Sequence, residues 1–371
     1  MTPPATDLAS RWLGGSVIAA SDESFGEKEN LLNPAPAAFE PGRYGPRGEI
    51  VDGWETRRRR DPGHDWALIR LGAPGVITEV DVDTSFFTGN FPESVSLQAC
   101  GCEGYPSPAE LAGAAWEPIV PRSELSGDHH NRFRVTDPRR FTHLRLSAYP
   151  DGGIARLRVL GHPVPDPRGL EALTIDLASQ QHGAAVVGAS DDFYTSAAHL
   201  IRPDQARTMG EGWETRRRRD QGHDHVIVRL AFPGIVRRII LDTAHFKYNA
   251  SAEAELHAQD GTPLLARTRL QPDTRHEFPS QHEHPVATVR LDAYPDGGLS
   301  RLRLLGHLTP QARRAAGYRW FNSLPAPQAI QCLANAGLPP ARAAQLTAHR
   351  PLTADATPDP SLTAILGGQH L

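Results

Sequence analysis

The run Gly53-Trp54-Glu55-Thr56-Arg57-Arg58-Arg59-Arg60-Asp61 recurs as Gly212-Trp213-Glu214-Thr215-Arg216-Arg217-Arg218-Arg219-Asp220, 159 residues later. Residues 52–71 set against 211–230 give 14 identities in 20, far beyond chance. Asp83-Thr84 keeps that offset onto Asp242-Thr243, whereas Tyr149-Pro150-Asp151-Gly152-Gly153 returns as Tyr294-Pro295-Asp296-Gly297-Gly298 at an offset of 145, so the second copy is 14 residues shorter between those landmarks. Both copies open on Ser-Asp (Ser21-Asp22, Ser190-Asp191) and close on Arg-Leu-Arg, two apolar residues and Gly-His (Arg156 to His162, Arg301 to His307). Such self-similarity requires one fold made twice. The domains expected are residues 1–165 and 166–310, with prolines at 163, 165 and 167 marking the join, followed by a tail at 311–371.

Within each copy the apolar runs are short and often alternate, as in Val76-Ile77-Thr78-Glu79-Val80-Asp81-Val82, Leu144-Arg145-Leu146 and Leu157-Arg158-Val159, matched by Val289-Arg290-Leu291 and Leu302-Arg303-Leu304. Period two between turn residues predicts antiparallel strands with one wet face. Tyr-Pro-Asp-Gly-Gly has the chemistry of a tight connection. The 33 glycines and 33 prolines in 371 residues also favour turns over long helices. The fold class expected is all-β: two tandem jelly-roll, lectin-like β-sandwich repeats with a short helical tail. In the tail, Ile330, Leu333 and Ala334 predict a helix from Pro325 to Gly337, and a second is expected from Pro340 to His349.

Charge and composition exclude several functions. The formal net charge is −4, and the Arg tracts carry no interleaved aromatics, which argues against nucleic acid as partner. No apolar run approaches the length of a membrane span, and Met1 to Ser10 does not read as an export signal. Three cysteines (Cys100, Cys102, Cys332) make no disulfide framework. A cytoplasmic protein with reduced thiols is expected.

The repeated motif holds the chemically capable residues. Arginine's planar fork binds carboxylates bidentately, so Arg57 and Arg59, or Arg216 and Arg218, are candidates for gripping a small anion. If the tract is a strand, Arg57 and Arg59 share a face; pairing with nearby acidic groups is the competing reading. Glu55 and Glu214 follow a tryptophan, an environment that raises a carboxyl pKa toward general-acid use. His64-Asp65 and His223-Asp224 offer a general base with an orienting carboxylate, or a metal-ligand pair. Asn90 and Asn249 align and suit recognition of a ureido or amide group. No phosphate-binding Gly-rich loop, Gly-x-Ser-x-Gly elbow or His-Glu-x-x-His motif is present.

The doubled Gly-Trp-Glu-Thr-Arg-Arg-Arg-Arg with Gly-His-Asp, followed by Val82-Asp83-Thr84 through Phe87, Gly89, Asn90, Phe91 and Pro92, resembles the allantoicase family. Ser24-Phe25-Gly26-Glu27-Lys28-Glu29-Asn30 and the Asp52-Gly53-Trp54 start fit as well, so the resemblance spans roughly residues 12–308. It implies paired jelly rolls, a homo-oligomer, and hydrolysis of allantoate to ureidoglycolate and urea in purine breakdown. On that basis Arg57 and Arg59 (Arg216 and Arg218) clamp the substrate carboxylate. Glu55 or Glu214 protonates the departing urea, and His64 or His223 activates water. A divalent ion such as manganese, held by His and Asp, is the alternative for the last role. Two departures stand out: Phe86 replaces a His of the family pattern, and Tyr248, Ala250 and Ser251 stand where a Gly-Asn-x-Pro loop is expected. The other class compatible with these repeats is a carbohydrate-binding jelly roll without catalysis.

Overall fold

The computed structural model describes residues 4–46, 48–50, 52–170, 174–353, 362 and 366. The expected helical tail at 311–371 therefore lies partly outside the described residues. The chain divides into two compact units, one of residues 5–164 with 322–350, the other built on 165–321.

In the first unit a 19-residue strand, β6 (Asp65–Asp83), serves both layers of a sandwich. Its first part lies between β2 (Ser16–Ala20) and β10 (Arg140–Tyr149), with β7 (Ser94–Cys100) and β8 (Glu117–Glu124) beyond. Its second part pairs with β9 (His130–Arg134) and β12 (Arg156–Pro163), and β1 (Thr6–Asp7) closes that edge. All pairings are antiparallel. The strand changes layer over Gly72-Ala73-Pro74-Gly75, where the β10 register breaks. A Cβ on Gly75 would sit 2.4 Å from the His162 carbonyl oxygen, so only glycine permits the crossing. The core follows the alternation in the sequence: Leu144, Leu146 and Leu97 from one layer meet Val80, Leu157 and Val159 from the other. Arg145 and Arg158, between these positions, are half-buried. Short elements decorate the sandwich: the β3–β4 hairpin (Tyr44–Gly45, Gly48–Glu49), the ladder of β5 (Trp54–Glu55) with β11 (Gly153–Ile154), and helix α1 (Pro108–Ala112) with a Ser107/Glu110 capping box.

The second unit repeats the plan. Strand β16 (Asp224–Asp242) pairs with β14 (Ala185–Ala189) and β20 (Val286–Tyr294) in one part. In the other it pairs with β19 (Arg275–Pro279) and β22 (Arg301–Leu308). β13 (Ile175–Asp176), β17 (Glu253–Ala258) and β18 (Pro263–Arg269) complete the sheet, and β15 (Trp213–Glu214) pairs with β21 (Gly298–Leu299). The missing residues fall mainly between β17 and β18, where a turn at 259–262 replaces the α1-bearing segment 101–116.

Among the described residues up to 353, the tail forms three helices where the sequence reading anticipates two. Helices α3 (Ala326–Asn335) and α4 (Pro340–Ala348) lie within the expected spans, and Gly337 ends the first turn-out with a left-handed φ of 91°. The unanticipated α2 (Pro310–Ser323) belongs to the second unit and buries Ala312, Ala316, Trp320 and Phe321. α3 and α4 belong to the first unit, where Gln328 donates to Glu103 at 2.7 Å. None of the three cysteines is in a disulfide, and no helix of the described residues is long and apolar enough to cross a membrane.

Candidate active site

Each repeat builds the same constellation around its tryptophan. Trp54 is fully buried, and its indole N–H donates to the Asp22 carbonyl oxygen at 2.8 Å; Trp213 does the same to Asp191 at 2.9 Å. The anchored ring fixes the next residue, so Glu55 is half-buried on β5 and accepts a hydrogen bond from the Asn90 side-chain amide at 2.6 Å. Glu214 accepts from Asn249 at 2.7 Å. Burial raises the Glu55 pKa above its ordinary value of 4.5, with only the Asn90 hydrogen bond acting against it. The loop carrying each asparagine holds a residue in the left-handed region, Phe86 at φ 69° and His245 at φ 71°. Each is pinned by its backbone N–H to an aspartate, Asp128 or Asp273. Strain at the same place twice, beside the same Glu–Asn pair, marks a geometry the fold maintains.

The Arg tract is not a strand beyond Glu55, so the alternation expected from the sequence does not apply. Its backbone N–H groups bond to carboxylates instead of a ladder: Arg57 donates to Asp22 and Arg59 to Asp151. The two guanidinium groups consequently separate. Arg57 is three-quarters exposed and meets Asp22 through Nε at 3.3 Å; Arg216 meets Asp191 at 2.8 Å and is 65 % exposed. Arg59 turns inward onto Asp65 at 2.7 Å, as Arg218 does onto Asp224 at 2.9 Å. Those two aspartates are 1 % exposed and also accept from Ser21 and Ser190. The repeated Ser-Asp openings thus supply one acceptor for the indole and one hydroxyl for the buried carboxylate.

This commitment occupies Asp65 and Asp224, and neither makes a hydrogen bond to the adjacent histidine, which precedes β6 or β16. His64 and His223 lie on the outer face of the sheet, their rings tilted against Tyr149 and Tyr294 with centroids 4.6 and 4.5 Å apart. Burial and then the charges of Arg59 and Arg145 lower the His64 pKa, against the opposing charge of Asp65. The carboxylate of His223 is Asp292, whose Oδ1 is 2.9 Å from Nε2. The first repeat has Ser147 at that register position, opposite Ser96 as Asp292 is opposite Glu255. His223, Glu255, His257, Arg290 and Asp292 line a cavity of about 580 Å³; His64, Gln98, Trp116 and Arg145 line one of about 420 Å³ in the first repeat. Neither glutamate of the repeated motif lines these cavities. The structure therefore pairs Glu55 with Asn90, ties Trp54 and Arg57 on either side of it to Asp22, and places His64 in the lining of a cavity that does not include Glu55. Asp292, Glu255 and His257 escape sequence reasoning, although Asp292 stands two residues before the repeated Tyr-Pro-Asp-Gly-Gly turn, where the sheet face was readable.

Two antiparallel sandwiches, each presenting a strained loop, an anchored carboxyl and an exposed guanidinium, define a duplicated β-sandwich protein with polar sites of small-molecule size. The description "Allantoicase repeat" matches residues 6–164 and 175–309. A probable allantoicase of Nocardia farcinica is 53% identical over 309 residues, covering 81% of this chain and 94% of that one. One of Streptomyces coelicolor is 47% identical over 333 residues, covering 84% and 89%. The crystal structure of allantoicase from Saccharomyces cerevisiae superposes with a TM-score of 0.70 at 33% identity, covering 82% of this chain and 93% of that one. The chain belongs to the allantoicase family.

Proposed function

We propose that this chain hydrolyses allantoate to ureidoglycolate and urea in purine breakdown, with Glu55 and Glu214 as the proton-transfer groups. The observation that carries this reading is the Glu–Asn pair, built identically in both repeats, with the Glu55 carboxyl biased by burial toward its protonated form. Allantoate carries a carboxylate and two ureido groups on one carbon. Arg57 or Arg216, largely exposed, takes the carboxylate; Asn90 or Asn249 lies against the glutamate where a ureido group must sit.

The protonated glutamate gives its proton to one ureido nitrogen as the C–N bond breaks, and the lone pair of the remaining ureido nitrogen forms a C=N bond. Urea departs. The ionised glutamate then takes a proton from water as its oxygen adds to that carbon, which restores the acid and yields ureidoglycolate. One carboxyl serves both steps, so neither step requires a histidine. The expected roles of His64 with Asp65 and His223 with Asp224 are replaced in this reading.

The test is urea release from allantoate by the purified chain and by a Glu55→Gln/Glu214→Gln double variant. The parent is expected to release urea and the double variant to lose at least about 100-fold in turnover. No release from folded parent overturns the hydrolase reading; an active double variant overturns the role of the glutamates.

A further inference from the structure

The sheet face of the second repeat carries a donor set that the proposed hydrolysis leaves unused. Glu255 and His257 are two residues apart on β17, so both project from one face, and Asp292 on β20 is the direct antiparallel neighbour of Glu255. One ligand atom from each of the three lies within 4.8 Å of the others. We propose that Glu255, His257 and Asp292 form a binding site for one divalent transition-metal ion, separate from the Glu–Asn constellation.

The groups around the three are placed as outer partners of metal ligands are. Asp292 is 4 % exposed, and its Oδ1 is occupied by Arg290, at 2.8 Å from both Nε and Nη2, and by His223 at 2.9 Å. Its Oδ2 is left facing His257 Nδ1 at 3.6 Å, the separation of two ligands with room to turn onto a shared ion. Tyr294 donates its hydroxyl to Glu255 Oε1, which fixes that carboxylate and leaves Oε2. Carboxylates and imidazoles that bind metals are oriented in this way. One imidazole and two carboxylates suit zinc and its neighbours, with a coordination position open to the cavity of about 580 Å³. Arg290 offsets one of the two carboxylate charges, so a divalent ion leaves a net positive site that favours hydroxide or an anionic ligand in that position.

The first repeat is an internal control. Ser96, Gln98 and Ser147 occupy the register positions of Glu255, His257 and Asp292, and Ser96 keeps the contact to Tyr149 at 3.0 Å that Glu255 makes to Tyr294. None of the three is a metal ligand of comparable strength. The stoichiometry expected is one ion per chain, despite the duplication.

Calorimetric titration of chelator-treated full-length protein with zinc tests this. One site per chain is expected, weakened at least about 100-fold in both His257→Ala and Glu255→Gln, the latter retaining an acceptor for Tyr294. Cobalt(II) should give a visible d–d band with the parent and lose it with His257→Ala. A His282→Ala/His284→Ala variant should bind as the parent does, since those histidines lie in the segment between β19 and β20 and are not among the three proposed ligands. Absence of a one-per-chain site, or a site of undiminished affinity in both ligand variants with parent-like circular dichroism, overturns the proposal. Because the readout is binding, either result leaves the hydrolysis test standing on its own.

Discussion

The guanidinium of Arg59 lies 2.7 Å from a carboxylate that is 1 % exposed, while that of Arg57 lies 3.3 Å from Asp22 and is itself three-quarters exposed. Two identical side chains, two positions apart, therefore contribute through different terms. Removing Arg59 leaves Asp65 a buried carboxylate with Ser21 as its remaining side-chain donor. Arg59→Ala is expected to destabilise the fold by about 2–3 kcal/mol, below the cost of breaking a fully buried pair because Arg59 is 30 % exposed. Arg57→Ala should leave the denaturation midpoint nearly unchanged, as exposed pairs do, and raise KM for allantoate roughly tenfold through loss of a charge-assisted hydrogen bond. Denaturant titration and steady-state urea release separate the two; equal stability losses with unchanged KM would contradict the clamp. The sequence showed four arginines in a row but not this division, because it depends on Asp22 and Asp151, which approach the tract from 35 and 92 residues away. His223 was likewise legible as a candidate base, but its carboxylate comes from 69 residues away instead of from the adjacent Asp224.

The elements that position the glutamates are very short. β5 and β11 contribute two residues each, Glu55 opposite Gly153 and Trp54 opposite Ile154, and so small a ladder holds only because its surroundings are close-packed. A Cβ on Gly153 would stand 1.9 Å from the ring of Phe87, a fully buried residue on the Asn90 loop. Gly153→Ala must therefore push that loop away from Glu55. A loss of about 1–3 kcal/mol is expected in thermal unfolding, with a fall in turnover larger than that of a surface substitution; an unshifted Tm would show that the loop yields without cost. The Tyr-Pro-Asp-Gly-Gly turn and the alternating strands were readable, because period two and turn chemistry are local signals. Helix α2 was not, since its buried side takes in Arg313 and Gly317 beside Ala312, Ala316, Trp320 and Phe321, and a charged and a small residue interrupt the apolar pattern.

Duplication gives the chain two copies of one constellation, and the copies have diverged around it. Phe86 occupies the position of His245, Ser147 that of Asp292, and an α1-bearing segment that of a tight turn. Each copy still carries its own buried tryptophan, its own Glu–Asn bond and its own exposed arginine. Each set is complete in itself, so the two should turn over independently. Glu55→Gln and Glu214→Gln singly are then expected to leave residual turnover that sums to that of the parent, with the loss complete only in the double variant. The pH profile distinguishes the contributions. In the proposed mechanism Glu55 is protonated when it expels urea, and burial raises its pKa, so turnover by Glu214→Gln should be full below that raised value and fall as pH increases through it. The falling limb should lie above the ordinary glutamate value of 4.5. Complete inactivation by either single substitution, in a folded protein, would mean instead that the copies do not work separately and that the repeat has been retained for a joint function.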